Sequence, residues 1–377
     1  MHLTCLQEHL KRGLATVSHA VAGKSTLPVL ANVLLATDGG RLKLAATNLE
    51  IGITHWIGAQ VQMEGAITVP AKLFADVVGS LPANTVTLTL DGRTQTLKVA
   101  CGRFTSTIKG IQADEFPVIP SITDQAPVTS VSSDVLREVI NQVAFAAAGD
   151  DTRPVLAGVL VRLSDTRLFL AAADGFRAAT RTVTLPEPVS QPVTCIVPAR
   201  ALAELSRIVE GQATPVSLTR SSGGHQVLFH TATTELVSRL IDGQFPDVER
   251  IIPTQYLTRT VLDTAELVKA IKLASFFAAA SQQVVKLTMT PGDEHRPGTL
   301  VISANAAEVG DNTGELDGMI HGEGGQIALN VTYLAELLTS VKSAQIAIET
   351  QSPQSPGVFK PVGQADYVHI IMPMSMR

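Results

Sequence analysis

Residues Leu27 to Thr54, LPVLANVLLATDGGRLKLAATNLEIGIT, return downstream as Arg153 to Thr180, RPVLAGVLVRLSDTRLFLAAADGFRAAT. With Pro28 set against Pro154 the two segments run without a gap through Asn48 and Asp174. Of those 21 positions, 11 are identical at an offset of 126. A chain that repeats itself at this interval is built from copies of one folding unit.

Each copy starts with a proline, runs through an apolar stretch (Val29 to Leu35; Val155 to Leu163) and crosses a polar turn, Asp38-Gly39-Gly40 or Ser164-Asp165-Thr166. It then continues with alternating leucines, Leu42 and Leu44 or Leu168 and Leu170. Two apolar runs about a tight turn predict an antiparallel hairpin. A weaker third copy is Val284 to Met289, a longer turn at Pro291-Gly292-Asp293, then Leu300 to Ser303. Other landmarks hold the spacing: Val69-Pro70-Ala71-Lys72 with Val197-Pro198-Ala199-Arg200, Leu202 to Leu205 with Leu334 to Leu337, and Phe116-Pro117 with Phe245-Pro246. Three units fill the 377 residues, with domains expected at 1–125, 126–254 and 255–377.

Helices are predicted beside the hairpins. Thr4 to Val21 carries Leu6, Leu10, Leu14, Val17 and Val21 at helical spacing, with Gly23 as its expected C-terminal cap. Val69 to Val78 and Pro198 to Val209 read as second helices with proline in the first turn. Ser132 or Ser133 should cap the helix of Val135 to Val143, and Asp263 with Glu266 is a candidate capping box before Leu267, Ala270, Ile271, Ala274 and Phe277. Asp114 to Ala126 and Phe245 to Pro253 read as linkers. Six helices and about two dozen strands without βαβ alternation define an α+β chain of mainly antiparallel sheet.

The balance of 45% hydrophobic and 17% charged residues is that of a globular chain, and a net charge of −5 means that any nucleic-acid contact must come from local positive charge. Cys5, Cys101 and Cys195 are too few and too far apart for a zinc knuckle or a disulfide framework. No apolar run reaches a membrane span, and Met1 to Lys11 lacks the order of a signal peptide, so the cytoplasm is the expected compartment.

Signatures of chemistry are missing. Gly23-Lys24-Ser25 resembles the end of a phosphate-binding loop, but Ser18 stands where that loop needs glycine and a predicted helix stands where it needs a strand. His225 and His230 fall on opposite faces of a predicted strand, Gly322 to Gly325 precede a strand, and no nucleophile elbow or paired-histidine zinc motif occurs. No metal, cofactor or catalytic residue is expected. A triplicated ligand-binding protein, or an enzyme with its site between domains, is the alternative to a scaffold.

Lys24 to Leu30 (KSTLPVL), Thr68 to Lys72 (TVPAK), Asp242 to Asp247 (DGQFPD) and Tyr367 to Met374 (YVHIIMPM), in this order and over the whole length, resemble the bacterial sliding clamps, the beta subunits of DNA polymerase III. The resemblance implies a processivity factor without a reaction of its own. It implies three repeated domains of the DNA clamp type, two chains closing head to tail into a ring, sheets outside and two helices per domain lining the hole. The implied partners are encircled duplex DNA, a second copy, the replicative polymerase catalytic subunit, the clamp loader and other proteins with clamp-binding motifs.

Residue by residue, the resemblance assigns DNA contacts to Lys24 and Lys72, and the internal repeat adds Arg200. It assigns a partner-peptide groove to Leu156, Ala173, Gly175, Phe176, Arg177, Pro246, Arg250, Ile251, Asn330, Tyr333, Ile370, Ile371, Met372, Pro373 and Met374. There the glycine would let a ligand approach the backbone, while the arginine stem walls an apolar pocket and its head stays wet. Leu73, Ile108, Phe276 and Phe277 fall at dimer-contact positions; two adjacent helical phenylalanines cannot both face one core. Phe176, Ala178 and Gln282 depart from the family's usual residues, which bears on peptide preference.

Overall fold

The structure is a computed structural model that describes residues 1–23, 26–121, 126–150, 152–221 and 223–375. The first copy of the repeat contains β1 (His2–Leu6), α1 (Gln7–Ser18), β2 (Asn32–Asp38), β3 (Arg41–Thr47), β4 (Ile51–Gly58), β5 (Gln60–Met63), β6 (Ala66–Pro70), α2 (Ala71–Ser80), β7 (Thr85–Asp91), β8 (Thr96–Cys101) and β9 (Phe104–Lys109). The second contains β10 (Thr129–Val131), α3 (Ser133–Val143), β11 (Gly158–Ser164), β12 (Arg167–Ala173), β13 (Arg177–Thr184), β14 (Val193–Pro198), α4 (Ala199–Ile208), β15 (Val216–Arg220), β16 (Gln226–His230) and β17 (Thr234–Arg239). After a short α5 (Val248–Ile251), the third contains β18 (Thr258–Asp263), α6 (Thr264–Ala278), β19 (Val284–Thr290), β20 (Gly298–Ala306), β21 (Gly310–Gly322), β22 (Gly325–Asn330), α7 (Val331–Ser340), β23 (Gln345–Thr350), β24 (Gly357–Pro361) and β25 (Tyr367–Ile371).

Packing divides the chain into two compact units, and the second copy is shared between them. One unit, Met1–Arg137 with Glu204–Leu240, holds a sheet ordered β5-β1-β7-β8-β9 and an eight-stranded sheet ordered β10-β15-β16-β17-β4-β3-β2-β6. The other, Glu138–Ala203 with Ile241–Arg377, holds one sheet ordered β14-β11-β12-β13-β25-β24-β23-β18-β21-β20-β19-β22. In each, strands of consecutive copies join: β4 pairs with β17, and β13 with β25.

The hairpins form as the alternation predicts. Asp38 pairs with Arg41 across Gly39 and Gly40, both at positive φ, as a two-residue turn between twisted strands requires. Leu35, Leu42 and Leu44 are fully buried, and each such side chain contributes roughly 1.5–3 kcal/mol. The third hairpin, β19 with β20, is present as expected.

Several boundaries differ from the sequence reading, some because a distant partner captures the backbone and some because a local turn does. His2–Leu6 is a strand that pairs with β5 and β7, so the first helix begins at Gln7 and Leu6 is half exposed. The helix ends at Ser18, too early for Gly23 to cap it, and closes through the Ala20 N–H to the Val17 carbonyl. Pro28 and Pro154 open 3-10 turns (Pro28–Ala31, Pro154–Ala157), and the strands start only at Asn32 and Gly158. Pro70 and Pro198 end strands, paired with Asn32 and Gly158, and the helices start one residue later. Ser133 donates its hydroxyl to the Thr214 carbonyl. Asp263 caps α6 by accepting from the Glu266 amide, and the expected linker at Phe245 to Pro253 contains α5.

Candidate functional site

The tight turn between β12 and β13 is where the second copy departs most usefully from the first. The Asp174 carboxylate accepts from the Phe176 and Arg177 amides, at 2.8 and 3.0 Å, which folds the turn and leaves Phe176 60% exposed. Gly175 sits at φ +96°, and a Cβ there would lie 2.7 Å from Nη1 of Arg153, whose Nη2 donates to the Asp174 carbonyl. The glycine therefore admits the chain's own arginine to the backbone, where the sequence reading placed a ligand.

Arg177 is also not as predicted. Its head is buried, 7% exposed, with Nε donating to Asp174 at 3.1 Å, Nη2 to the Phe145 carbonyl at 2.7 Å and Nη1 to Glu336. The guanidinium lies over the Tyr333 ring at 4.4 Å and the Phe145 ring at 5.4 Å. A buried cation survives only when paired and hydrogen-bonded in this way, so Arg177 is a structural post beneath the surface. Burial, then the Asp174 charge, pushes the Tyr333 phenol up against the opposing pull of Arg177. His369 stacks on Phe145 at 5.4 Å, fully buried. Desolvation first and the Arg177 charge second lower its pKa to about 3, so the ring is neutral.

The last strand completes the surface. Arg177 pairs with Ile371 and Ala178 with Ile370; beyond the strand the Met372 amide donates to the Phe176 carbonyl at 2.8 Å and the Met374 amide to Ala328. Ile370 and Ile371 are buried, Met372 is 40% exposed, and Pro373 and Met374 are half-buried. Beneath them Ala171, Ala173, Ala178, Val248, Val358 and Ile370 form one apolar cluster that Phe245 and Ile252 pack against. Arg162 fastens α5 to the sheet by donating to Glu249 at 2.5 Å while lying over the Phe169 ring.

Of the predicted groove residues, Phe176, Pro246, Ile251 and Met372 are exposed and able to touch a partner. Leu156, Ala173, Ile370 and Ile371 are floor. Arg250 is solvated and pairs with Asp247 at 2.8 Å; Asn330 caps α7 by accepting from the Thr332 and Tyr333 amides. Phe145, Asp174, Glu336 and His369 were missed, since nothing in their local sequence marks them as partners of one arginine.

Lys72 and Arg200 are both exposed, each the second residue of its helix, and Thr332 holds that position in the third copy. Lys24 lies outside the described residues. Among the predicted dimer positions Leu73 and Phe276 are exposed and Phe277 is half-buried. Ile108 is 3% exposed, its side chain turned into its own sheet opposite Leu97, and cannot offer that side chain to a partner.

A threefold hairpin-and-helix repeat whose sheets continue from copy to copy defines a three-domain clamp fold. Residues 1–120, 130–247 and 249–375 match, in order, the N-terminal, central and C-terminal domains of the DNA polymerase III beta subunit. The chain is 34% identical over 383 residues to the beta sliding clamp of Synechococcus elongatus, covering 100% of both, and 29% identical over 385 residues to that of Staphylococcus aureus, covering 99% of both. Among solved structures it is similar to the Bacillus subtilis DNA polymerase sliding clamp (TM-score 0.92, 25% identity) and to a Pseudomonas aeruginosa clamp bound to griselimycin (TM-score 0.89, 28% identity), with complete coverage of each chain. The chain belongs to the DNA polymerase III beta subunit family, the bacterial beta sliding clamps.

Proposed function

We propose that this chain is a DNA sliding clamp: two copies close head to tail around duplex DNA and tether the replicative polymerase, the clamp loader and other motif-bearing proteins. The observation that carries the ring is a pair of open sheet edges. In the repeat, β4, β13 and β21 are equivalent, as are β17, β25 and β9. The first two pairs are joined, β4 to β17 and β13 to β25. Among the described residues, β9 pairs with β8 alone, and residues 310–318 of β21 pair with β20 alone. Pairing β9 of one copy with β21 of a second, twice over, removes every such edge and closes a ring of six domains. The exposed Leu73 and Phe276 then meet the partner, as do Leu273 and Phe104, two exposed apolar residues the sequence reading passed over.

A ring holds DNA by enclosure, so it needs only weak, sequence-blind phosphate contacts and no reaction of its own. Lys72 and Arg200, with Lys24, supply them. Phe176, Pro246, Ile251 and Met372 form the rim of a groove for short peptides with one or two large apolar anchors. A protein with these partners would work in the cytoplasm. The decisive experiment is retention on nicked circular DNA with a loader present: the protein stays on the circle and leaves when the circle is cut. Equal retention on both forms overturns the reading.

A further inference from the structure

The junction between β4 and β17 repeats the strand pairing and the flanking backbone hydrogen bond of the proposed peptide groove. Ile51 pairs with Ser238 and Gly52 with Val237, as Arg177 pairs with Ile371 and Ala178 with Ile370. The Arg239 amide donates to the Glu50 carbonyl at 2.9 Å, as the Met372 amide donates to Phe176 at 2.8 Å. The floors correspond as well: Ala45, Phe116 and Leu34 pack together here, and Ala171, Phe245 and Leu160 there. What differs is the rim, where Glu50 and Arg239 stand in place of Phe176 and Met372.

This junction carries an open cleft of about 500 Å³ lined by Leu49, Val118, Ile119, Glu50, Arg239 and His225, among others. That volume suits a few side chains of a ligand. Val118 is 93% exposed and Leu49 48% exposed. Leu49 is held at φ +74°, where a branched side chain is strained and where the equivalent residue is Gly175. The strained backbone keeps an apolar group at the mouth of the cleft. Arg239 and Glu50 take part in no ion pair among the described residues.

We propose that this cleft is a second docking site, for a short extended peptide of a client protein that carries an aliphatic anchor beside a carboxylate. Leu49, Val118 and Ile119 receive the anchor, Arg239 with His225 pairs with the carboxylate, and Glu50 rejects a second acid. The occupant differs from that of the other groove by charge, since that rim is apolar and this one is not. The inference rests on reading the Phe176–Met372 groove as a peptide site, because the shared backbone is what identifies a peptide-shaped surface.

The test uses the full chain with methyl-labelled Leu, Ile, Val and Met, titrated with acetylated, amidated hexapeptides bearing one leucine and one adjacent aspartate, and with matched peptides carrying asparagine. The aspartate peptide is expected to shift the Leu49, Val118 and Ile119 methyls. Asparagine, or Arg239→Ala, should weaken it about threefold. Val118→Asp should weaken it at least tenfold without disturbing the fold, Val118 being solvated. No shift at those three methyls, or shifts confined to Met372 and Ile370, overturns the proposal, as does Val118→Asp altering sedimentation with no peptide response, which makes the cleft a contact between copies. A parallel titration with a polymerase peptide reads the other groove through the Met372 methyl: silence there counts against that reading, whereas the Leu49, Val118 and Ile119 methyls under the aspartate peptide decide this one.

Discussion

The Met372 amide donates to the Phe176 carbonyl at 2.8 Å, one residue past the last strand pair of Arg177 with Ile371. The groove rim is thus pinned to the sheet at its base while the Met372 side chain stays 40% exposed. Removing Met372 to Arg377 should therefore abolish binding of polymerase and loader peptides and leave a folded dimer, whereas a cut before Ile370 removes two buried strand residues and should unfold the surrounding sheet. Met372→Ala alone should weaken a bound peptide by about 1–2 kcal/mol with little change in melting temperature. Fluorescence anisotropy with a labelled polymerase peptide checks the first outcome and calorimetry the second; undiminished affinity after Met372→Ala removes this methionine from the groove.

Arg177 will behave as a stability residue. Replacing it with Met leaves the Asp174 carboxylate without its cationic partner and removes the donor to the Phe145 carbonyl, so a loss of about 3–5 kcal/mol is expected. Urea denaturation measures it. A loss below about 1 kcal/mol would mean that the network is replaceable by packing.

One buried histidine, His369, and one half-buried histidine, His55, contribute to the acid response. His369 has its pKa lowered to about 3, by burial and then Arg177, and His55 to about 4, by burial and then Arg12. Both folded values lie below the ordinary histidine value of 6.5, so below that pH the unfolded chain takes up protons that the folded chain refuses. Stability is complete above about pH 6.5 and falls as pH drops toward 4, by about 1.4 kcal/mol per pH unit for each histidine. His369→Phe should flatten that slope between pH 6.5 and 4 in urea titrations; an unchanged slope shows that His369 is not the titrating group.

The repeat made the hairpins legible, because alternation and a two-residue turn are local facts written in Leu35, Gly39, Gly40 and Leu42. Thr4, Cys5 and Leu6 were misread as helical, since a helix-spaced leucine series concealed a strand whose partners lie in β5 and β7, more than fifty residues away. Arg177 was found and its role inverted for the same reason. Its four partners come from Phe145, Asp174, Tyr333 and Glu336, and only the fold brings them to one place.

The proposed DNA contacts are tested through salt. Lys72→Ala and Arg200→Ala should each lower the steepness of log affinity against log salt by about one unit, whatever the DNA sequence, and the double variant by about two. An unchanged slope in the double variant places DNA elsewhere on the surface.

The dimer contact separates exposed from buried positions on the same predicted surface. Phe276 is 63% exposed near the end of α6 and Leu273, one turn earlier, is 56% exposed, so Phe276→Asp introduces a charge that costs little in the separated chain and opposes association. It should yield a folded monomer by sedimentation, with a weakened dimer even at high protein concentration. Ile108→Asp places a charge inside the sheet of β9, opposite Leu97, and should lower the melting temperature before it affects association. Leu73→Asp should follow Phe276→Asp, since Leu73 is half exposed on α2. If Phe276→Asp and Leu73→Asp both sediment as unaltered dimers, the pairing of β9 with β21 of a second copy does not bring these helices to the interface.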